Sequence, residues 1–380
     1  MIDARKPVKV LHIFGRMVRD GAEMRMLEMM RALDLERYQF HFCTLEGQPG
    51  DLDDEIRALG GVIHADRLSP GLPWRFRRLL REQRFDVVHA HVLLSSGFFL
   101  RLAARESVPV RVAHFHSTGD GRPTTPRRRV QRAVMRQWVD RYATHLLGVS
   151  EGAMAAWSPR WRADPRCQVV YDGIDVTPFA QLPDRHEVRL EFNLPEECRL
   201  YIHVGRLAAP KNHARLIAIF AEIARADPSA YLLLVGRGGN DIERMLRARV
   251  ADWGIADRVV FAGMRFDVPR LLTAADLLLF PSRREGLPGA VLEACAAGTP
   301  VLASDLPGVR EIAAQCPTVR YLPLDIGDKD WAGTAMALAA DSRDPARRAA
   351  IARAFAAGSL TIRDSVAAHA TIYQKGLAPC

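Results

Sequence analysis

The sequence predicts an α/β protein built from two Rossmann-like, doubly wound domains. Three observations carry that expectation. Short apolar runs of strand character alternate with helical segments along the whole chain, as in a parallel sheet covered by helices on both faces. After a polar stretch at 181–197 the series begins afresh. The length, 380 residues, exceeds what one ordinary core serves and points to two.

The elements follow in order. VKVLHIF (8–14) opens the first sheet and leads into a helix from Ala22 to Leu33. FHFCTL is followed by a helix from Leu52 to Leu59, and FDVVHAH by one running through Phe99. VRVAHFH, THLLGVS and QVVYDG complete the first series. The second runs through RLYIHVG, YLLLVG, RVVFAG, DLLLFPS, PVLAS and VRYLPL, with helices between them. The expected division is a first Rossmann-like domain at 1–180, a second at 181–358 and a terminal helix at 359–380 that crosses back to the first domain. From Trp331 to Gly376 the chain is rich in Ala and Arg and helical in pattern. It ends in HATIYQKG, which looks too polar for a buried helix.

Charge is divided unevenly, with about +7 of the net +9 in the first 180 residues. That half therefore calls for an acidic partner, a phosphorylated lipid or an anionic membrane face. Nucleic acid is disfavoured, because the basic residues lack interleaved aromatics and no DNA- or RNA-binding motif appears. Six cysteines without paired short spacing read as reduced thiols of a cytoplasmic protein. No signal peptide precedes the first strand and no apolar run has the length of a membrane span, so any membrane contact is expected to be peripheral.

The stretch from Phe280 to Ile312 is the most informative. Gly286 and Pro288 end a strand and open a helix, Glu285 stands just before them, and Glu293 falls inside the helix among small and apolar residues. A carboxylate there needs a partner. An internal arginine or the helix dipole would serve, but a hydroxyl-rich ligand fits better. RLYIHVG delivers Gly205 and Arg206 to a strand end, and Lys211 follows just before the next helix with Asn212 as a cap. Two cations beside helix amides make a seat for a diphosphate. Asp51, Asp53 and Asp54 are read as first-turn residues of a helix rather than metal ligands.

HVGRLAAPKN, LLLVGRGG, VVFAGMRFDVPRLLTAADLLLFPS and EGLPGAVLEACAAGTPVLAS together resemble the retaining glycosyltransferases of family 4, which have the GT-B fold. The resemblance extends to the first half through VKVLHIF, DVVHAHV, LLGVSEGA and VVYDGID, and Glu285 and Glu293 match the family's EX7E pattern. It implies two Rossmann-like domains facing across a cleft. It implies that Arg206 and Lys211, with Gly15, hold the donor diphosphate, that Glu293 holds the ribose, and that Glu285 contacts the transferred sugar. Gly286, Leu287, Pro288 and Gly289 would add contacts to sugar and phosphate, and the loop Gly263, Met264, Arg265 would border the base. His116 matches the family's sugar-contacting histidine, so Glu285 and His116 are the candidate catalytic residues. His89, His91 and His114 read instead as side chains satisfying backbone groups. No metal or cofactor is expected. The family often has two glycines before the Ala-Glu of its first helix, and here Asp20 fills the first place before Gly21.

Two basic stretches, Trp74 to Phe85 and Arg122 to Trp138, put apolar residues on one side and arginines on the other. Each fits a sheet-covering helix with a solvated face and equally a helix lying on anionic lipid. The expected function is hexosyl transfer from a nucleotide diphosphate sugar, UDP favoured, to a hydroxyl of a glycan or lipid-linked saccharide in exopolysaccharide or capsule synthesis. The enzyme would be cytoplasmic or peripheral on the inner membrane face. The alternatives are a soluble glycan synthase or phosphorylase of the same fold and a non-catalytic nucleotide-sugar-binding protein.

Overall fold

The computed structural model describes residues 6–119, 121, 123, 125–180 and 185–377. Two compact units divide the chain: Met1–Gly173 with Ile362–Cys380, and Ile174–Thr361.

In the first unit, β1 (Val8–Phe14), α1 (Gly21–Ala32), β2 (Tyr38–Thr44), α2 (Asp53–Ala58), β3 (Val62–Ala65), α3 (Leu72–Gln83), β4 (Val87–Ala90), α4 (Ser96–Arg105), β5 (Val110–Phe115), α5 (Pro126–Tyr142), β6 (His145–Gly148), α6 (Glu151–Trp157) and β7 (Cys167–Val169) alternate. The sheet order is β3-β2-β1-β4-β5-β6-β7, with every pairing parallel. Period-two alternation divides its core. Leu11, Ile13, Val88, Ala90 and Phe115 face one side with Phe76 of α3 and Phe99 of α4. Val10, Phe40, Phe42, Val110 and Val112 face the other side, where α1 packs. The edge strand β3 was not foreseen; its four residues VIHA are mostly half-buried and carry little apolar signal.

The second unit continues with α7 (Arg185–Glu191), β8 (Arg199–Val204), α8 (His213–Ala226), β9 (Ala230–Val235), α9 (Asn240–Asp252), β10 (Val259–Gly263), α10 (Val268–Ala274), β11 (Leu277–Phe280), α11 (Gly289–Ala296), β12 (Val301–Ser304), α12 (Pro307–Gln315), β13 (Val319–Leu322), α13 (Asp328–Ala340) and α14 (Pro345–Ala356). Its sheet order is β10-β9-β8-β11-β12-β13. The carboxylate of Asp276, buried ahead of β11, accepts the Leu200 amide at 2.8 Å and pairs with Arg185, so β8 and β11 are pinned in register.

The last helix, α15 (Ile362–Lys375), belongs to the first unit. It corrects the expectation for HATIYQKG: His369, Ile372 and Tyr373 are at most 3% exposed. Their spacing places them on one helical face, where His369 Nδ1 bonds the Ser365 carbonyl and the Tyr373 hydroxyl bonds His89 inside the core. Among the described residues no helix is long and apolar enough to cross a membrane.

Candidate functional site

Open parallel sheets bind ligands beyond the carboxyl ends of their strands, where the strand order reverses. In the second unit that point lies between β8 and β11. The chain leaves β8 through Gly205 and exposed Arg206, makes a short 3-10 turn at Ala209–Lys211, and enters α8. Lys211 lays its stem over Gly205, where an added Cβ would come within 3.1 Å of it. Its ammonium lies 2.8 Å from Glu285 Oε1 and 5.0 Å from the centre of the Phe280 ring. The pair is largely shielded, the lysine side chain 22% and the glutamate 13% exposed. Charge pairing and the ring face together offset the cost of drawing both groups from water.

Asn212 holds this geometry. It occupies the left-handed region at φ 57 and donates from Nδ2 to the Pro281 carbonyl at 3.1 Å. The Arg283 amide donates back to the Pro210 carbonyl at 2.7 Å. The loop carrying Lys211 and the loop carrying Glu285 are therefore tied at two points.

Beyond Glu285, the segment Gly286–Pro288 leads into α11, whose N-terminus no side chain caps. The amides of Gly289 and Ala290 point out of the helix, at the positive end of its dipole. Glu293 sits half-buried in the second turn of α11. Gly308 of α12 explains how the loop is held: a Cβ there would stand 2.0 Å from the Gly286 carbonyl oxygen. The Gly263–Arg265 loop follows β10, with Gly263 at φ 67. Arg265 makes a two-point pair with Asp267 at 2.8 and 2.9 Å and reaches Glu191 at 2.7 Å. The bond to Asp267 raises the arginine's pKa, and Asp267 is correspondingly held down at about 2. The guanidinium thus braces its loop. Lys211 and Glu285 are in contact, and Arg206, Glu293 and the 286–289 and 263–265 segments all stand at or beyond the carboxyl edge of the same sheet.

In the first unit Gly15 ends β1 and its carbonyl accepts the amides of Leu45 and Glu46 at 2.9 and 3.0 Å. His116 follows β5, half-buried, with Nδ1 3.2 Å from Asp172 Oδ2 and Nε2 2.8 Å from His91 Nδ1. The other histidines differ from expectation: they bond to one another rather than to backbone. His12 Nδ1 lies 3.0 Å from His91 Nε2, His89 Nε2 lies 3.2 Å from His114 Nδ1, and His89 Nδ1 meets the Tyr373 hydroxyl at 2.8 Å. Burial foremost, then the neighbouring rings, keeps His12, His89, His91 and His114 well below the ordinary histidine pKa, hence neutral. His12, Asp172, His369 and Tyr373 were missed in the sequence. The period-two HxH pairs were the available signal, but the partners come from a distant strand and the far end of the chain.

Asp53 is buried in the first turn of α2 and accepts the Gly50 amide at 3.0 Å, a helix-start role as expected. On α5 the apolar side, for which a sheet-covering and a lipid-facing role were equally expected, is largely open. Val130 and Val134 are 66% and 36% exposed, and only Val139 is buried. The helix packs on α4 instead, where Gly97 admits it: a Cβ there would meet the Met135 carbonyl at 2.4 Å.

Comparison with known proteins agrees with this fold. Residues 19–177 match the model described as Glycosyltransferase Family 4, and residues 184–317 the model of glycosyl transferases group 1. The putative glycosyltransferase EpsF of Bacillus subtilis is 30% identical over 88% of both chains. The capsular polysaccharide biosynthesis glycosyltransferase CapH of Staphylococcus aureus is 27% identical over 86% of this chain and 89% of its own. A UDP-Gal:alpha-D-GlcNAc-diphosphoundecaprenol alpha-1,3-galactosyltransferase of Escherichia coli is 26% identical over 81% and 82%. The Anabaena protein Alr3699/HepE, solved in complex with UDP, superposes with a TM-score of 0.81 at 19% identity, covering 97% of this chain and 100% of its own. From its two family matches and its likeness to EpsF and CapH along most of its length, this chain belongs to the family 4, group 1 glycosyltransferases of GT-B fold.

Proposed function

We propose that this glycosyltransferase moves a hexose from a UDP-sugar to a hydroxyl of a lipid-linked saccharide, with retention of anomeric configuration and without a metal. The observation that carries the reading is the Lys211–Glu285 pair beside the uncapped start of α11, at the switch point of the second sheet. Breaking a glycosidic bond to a diphosphate leaves negative charge on the departing phosphate. Fixed cations and helix amides stabilise that charge without rearranging. Arg206 and Lys211 are assigned to the diphosphate, with the amides of Gly286, Leu287 and Gly289, and the backbone at Gly15 is given a phosphate contact. Glu293 takes the ribose hydroxyls, and the Gly263–Arg265 loop borders the base. Glu285, released from Lys211 as phosphate takes over the ammonium, accepts hydrogen bonds from the sugar. His116, oriented by Asp172, is assigned to the sugar, and the departing phosphate takes the acceptor proton.

The base and acceptor rest on relatives. UDP appears in the complex of the Anabaena protein and UDP-Gal in the name of the E. coli enzyme, whose acceptor is a diphosphoundecaprenol-linked sugar. The surface of α5 supports an acceptor held at an anionic membrane face, and so a cytoplasmic enzyme at the inner leaflet. Arg127, Arg129, Arg136 and Arg141 are exposed beside the open Val130 and Val134.

The test is a thermal-shift and transfer series. UDP should raise the melting temperature more than GDP or ADP, and Arg206→Ala or Lys211→Ala should remove that rise. Transfer from a UDP-sugar should occur to lipid extract rather than to free saccharides, with the donor's anomeric configuration in the product by NMR. An unchanged UDP shift in both variants would overturn the diphosphate seat. Transfer only to soluble acceptors would replace the lipid-linked reading with a glycan synthase, and UDP binding with no turnover across a donor panel would sink the enzyme reading.

A further inference from the structure

We propose that His91, His114 and His116, just at and beyond the carboxyl ends of β4 and β5, form a binding site for one divalent transition-metal ion of the zinc class, with Asp172 behind it. One ring nitrogen from each lies within 4.8 Å of the others. The three ring centroids are 4.3, 5.0 and 5.6 Å apart. Metal–nitrogen bonds of about 2.0 Å put ligand rings about 5 Å apart in a tetrahedral site. Closing around an ion therefore takes small rotations about χ2, a soft torsion for histidine.

The hydrogen bonds single out the atoms. His116 Nδ1 faces the Asp172 carboxylate and so carries a proton, leaving Nε2 as a lone pair. A ligating imidazole backed by a carboxylate through its other nitrogen is the usual outer-shell arrangement of a metal histidine. His114 Nδ1 is turned to His89 Nε2, and His114 Nε2 is buried without a hydrogen-bond partner. A buried, unpartnered imidazole nitrogen on a ring of such a cluster is what an ion would satisfy. His91 Nδ1 stands 2.8 Å from His116 Nε2, and in the loaded site the ion replaces that hydrogen bond while His91 Nε2–H turns to His12 Nδ1.

Three imidazoles and no thiolate suit zinc, cobalt, nickel or copper rather than magnesium or calcium. Two overlapping trios, His12–His89–His91 and His89–His114–His369, are wholly buried, whereas half-buried His116 gives the chosen trio a way in. The site lies within the first unit and shares His116 and Asp172 with the transferase assignment, so an ion held there excludes the sugar contact proposed for His116.

The experiment uses the full chain, untagged and stripped with chelator, titrated with Co2+ and then Zn2+. One Co2+ per chain is expected, with the absorption bands of a tetrahedral nitrogen site and no thiolate charge-transfer band. One Zn2+ should displace it, and either ion should raise the melting temperature. His114→Gln and His116→Gln should each weaken Zn2+ binding at least about tenfold, and Asp172→Asn about tenfold or more. His64→Gln, in the separate His41–His64 pair, should leave binding unchanged. Circular dichroism of the metal-free variants separates a lost ligand from a lost fold, and if His114→Gln does not fold, half-buried His116→Gln carries the test. Absence of stoichiometric binding, full affinity in His116→Gln, dependence on His64, or a thiolate band would each overturn the site.

Discussion

Gly308→Ala isolates the loop that the proposed chemistry needs. The added methyl would stand 2.0 Å from the Gly286 carbonyl oxygen, 3.0 Å from its carbon and 3.3 Å from Leu287 Cα. Carbon–oxygen contacts settle at about 3.3 Å or more, so the Gly286–Leu287 backbone has to retreat by about 1.3 Å. Both contact groups are backbone, and no side chain can swing aside instead. Overpacking of this kind costs about 1 to 3 kcal/mol, a loss of several degrees in melting temperature for a unit of this size. The effect on turnover should be larger in proportion. Displacing a positioning element by about 1 Å costs about 10²-fold in rate, or about 2.7 kcal/mol of transition-state stabilisation. The assay is kcat/KM for the nucleotide sugar beside a thermal melt. As a control, Gly333→Ala on the exposed side of α13 meets nothing within 4 Å and should stabilise by about 0.5 to 1 kcal/mol with unchanged kinetics. A folded Gly308→Ala protein with wild-type kcat/KM would refute the claim that this contact places the loop.

Asn212→Ala forces alanine into φ 57 and removes the bond to the Pro281 carbonyl. A loss of about 1 to 3 kcal/mol in urea unfolding is expected, and Asn212→Gly, which relieves only the backbone, should recover part of it. Tyr373→Phe leaves the buried His89 Nδ1 unpaired and should cost about 1 to 3 kcal/mol by the same measurement. Stability should fall in acid. His41 and His213 are pushed down by burial to about 4 from an ordinary 6.5, so between those values the unfolded chain binds protons that the folded chain does not. Their contribution is complete above pH 6.5 and is lost as pH falls toward 4, at up to about 1.4 kcal/mol per pH unit for each histidine. The buried ladder histidines add to the same slope. Urea midpoints that stay flat from pH 7 to 5 would contradict this account.

Much of this architecture was legible because parallel strands buried on both faces are written as local apolar runs, such as YLLLVG and DLLLFPS. The loop from Phe280 to Gly289 was legible for a related reason: a carboxylate, a helix start and two glycines lie within ten residues. What stayed hidden depends on distance in sequence. Nothing near His89 announces Tyr373, which reaches it from 284 positions away, and HATIYQKG reads as polar because its buried face is only every third or fourth residue. The open side of α5 was hidden for a different reason, since a stripe of Val130 and Val134 looks the same whether it meets a core or solvent. The edge strand β3 escaped because half-burial leaves little apolar pattern to read.

The return of α15 to the first unit has a consequence for synthesis. That unit's core is closed by Ile372 and Tyr373, yet about 190 residues of the second unit are translated between Gly173 and Ile362. At ribosomal speeds of about 5 to 20 residues per second, the first sheet waits about 10 to 40 s with the face toward α15 uncovered. The second unit, continuous in the chain, can finish first. A nascent protein arrested before residue 362 should therefore present a folded second unit beside a first unit that chaperones still bind.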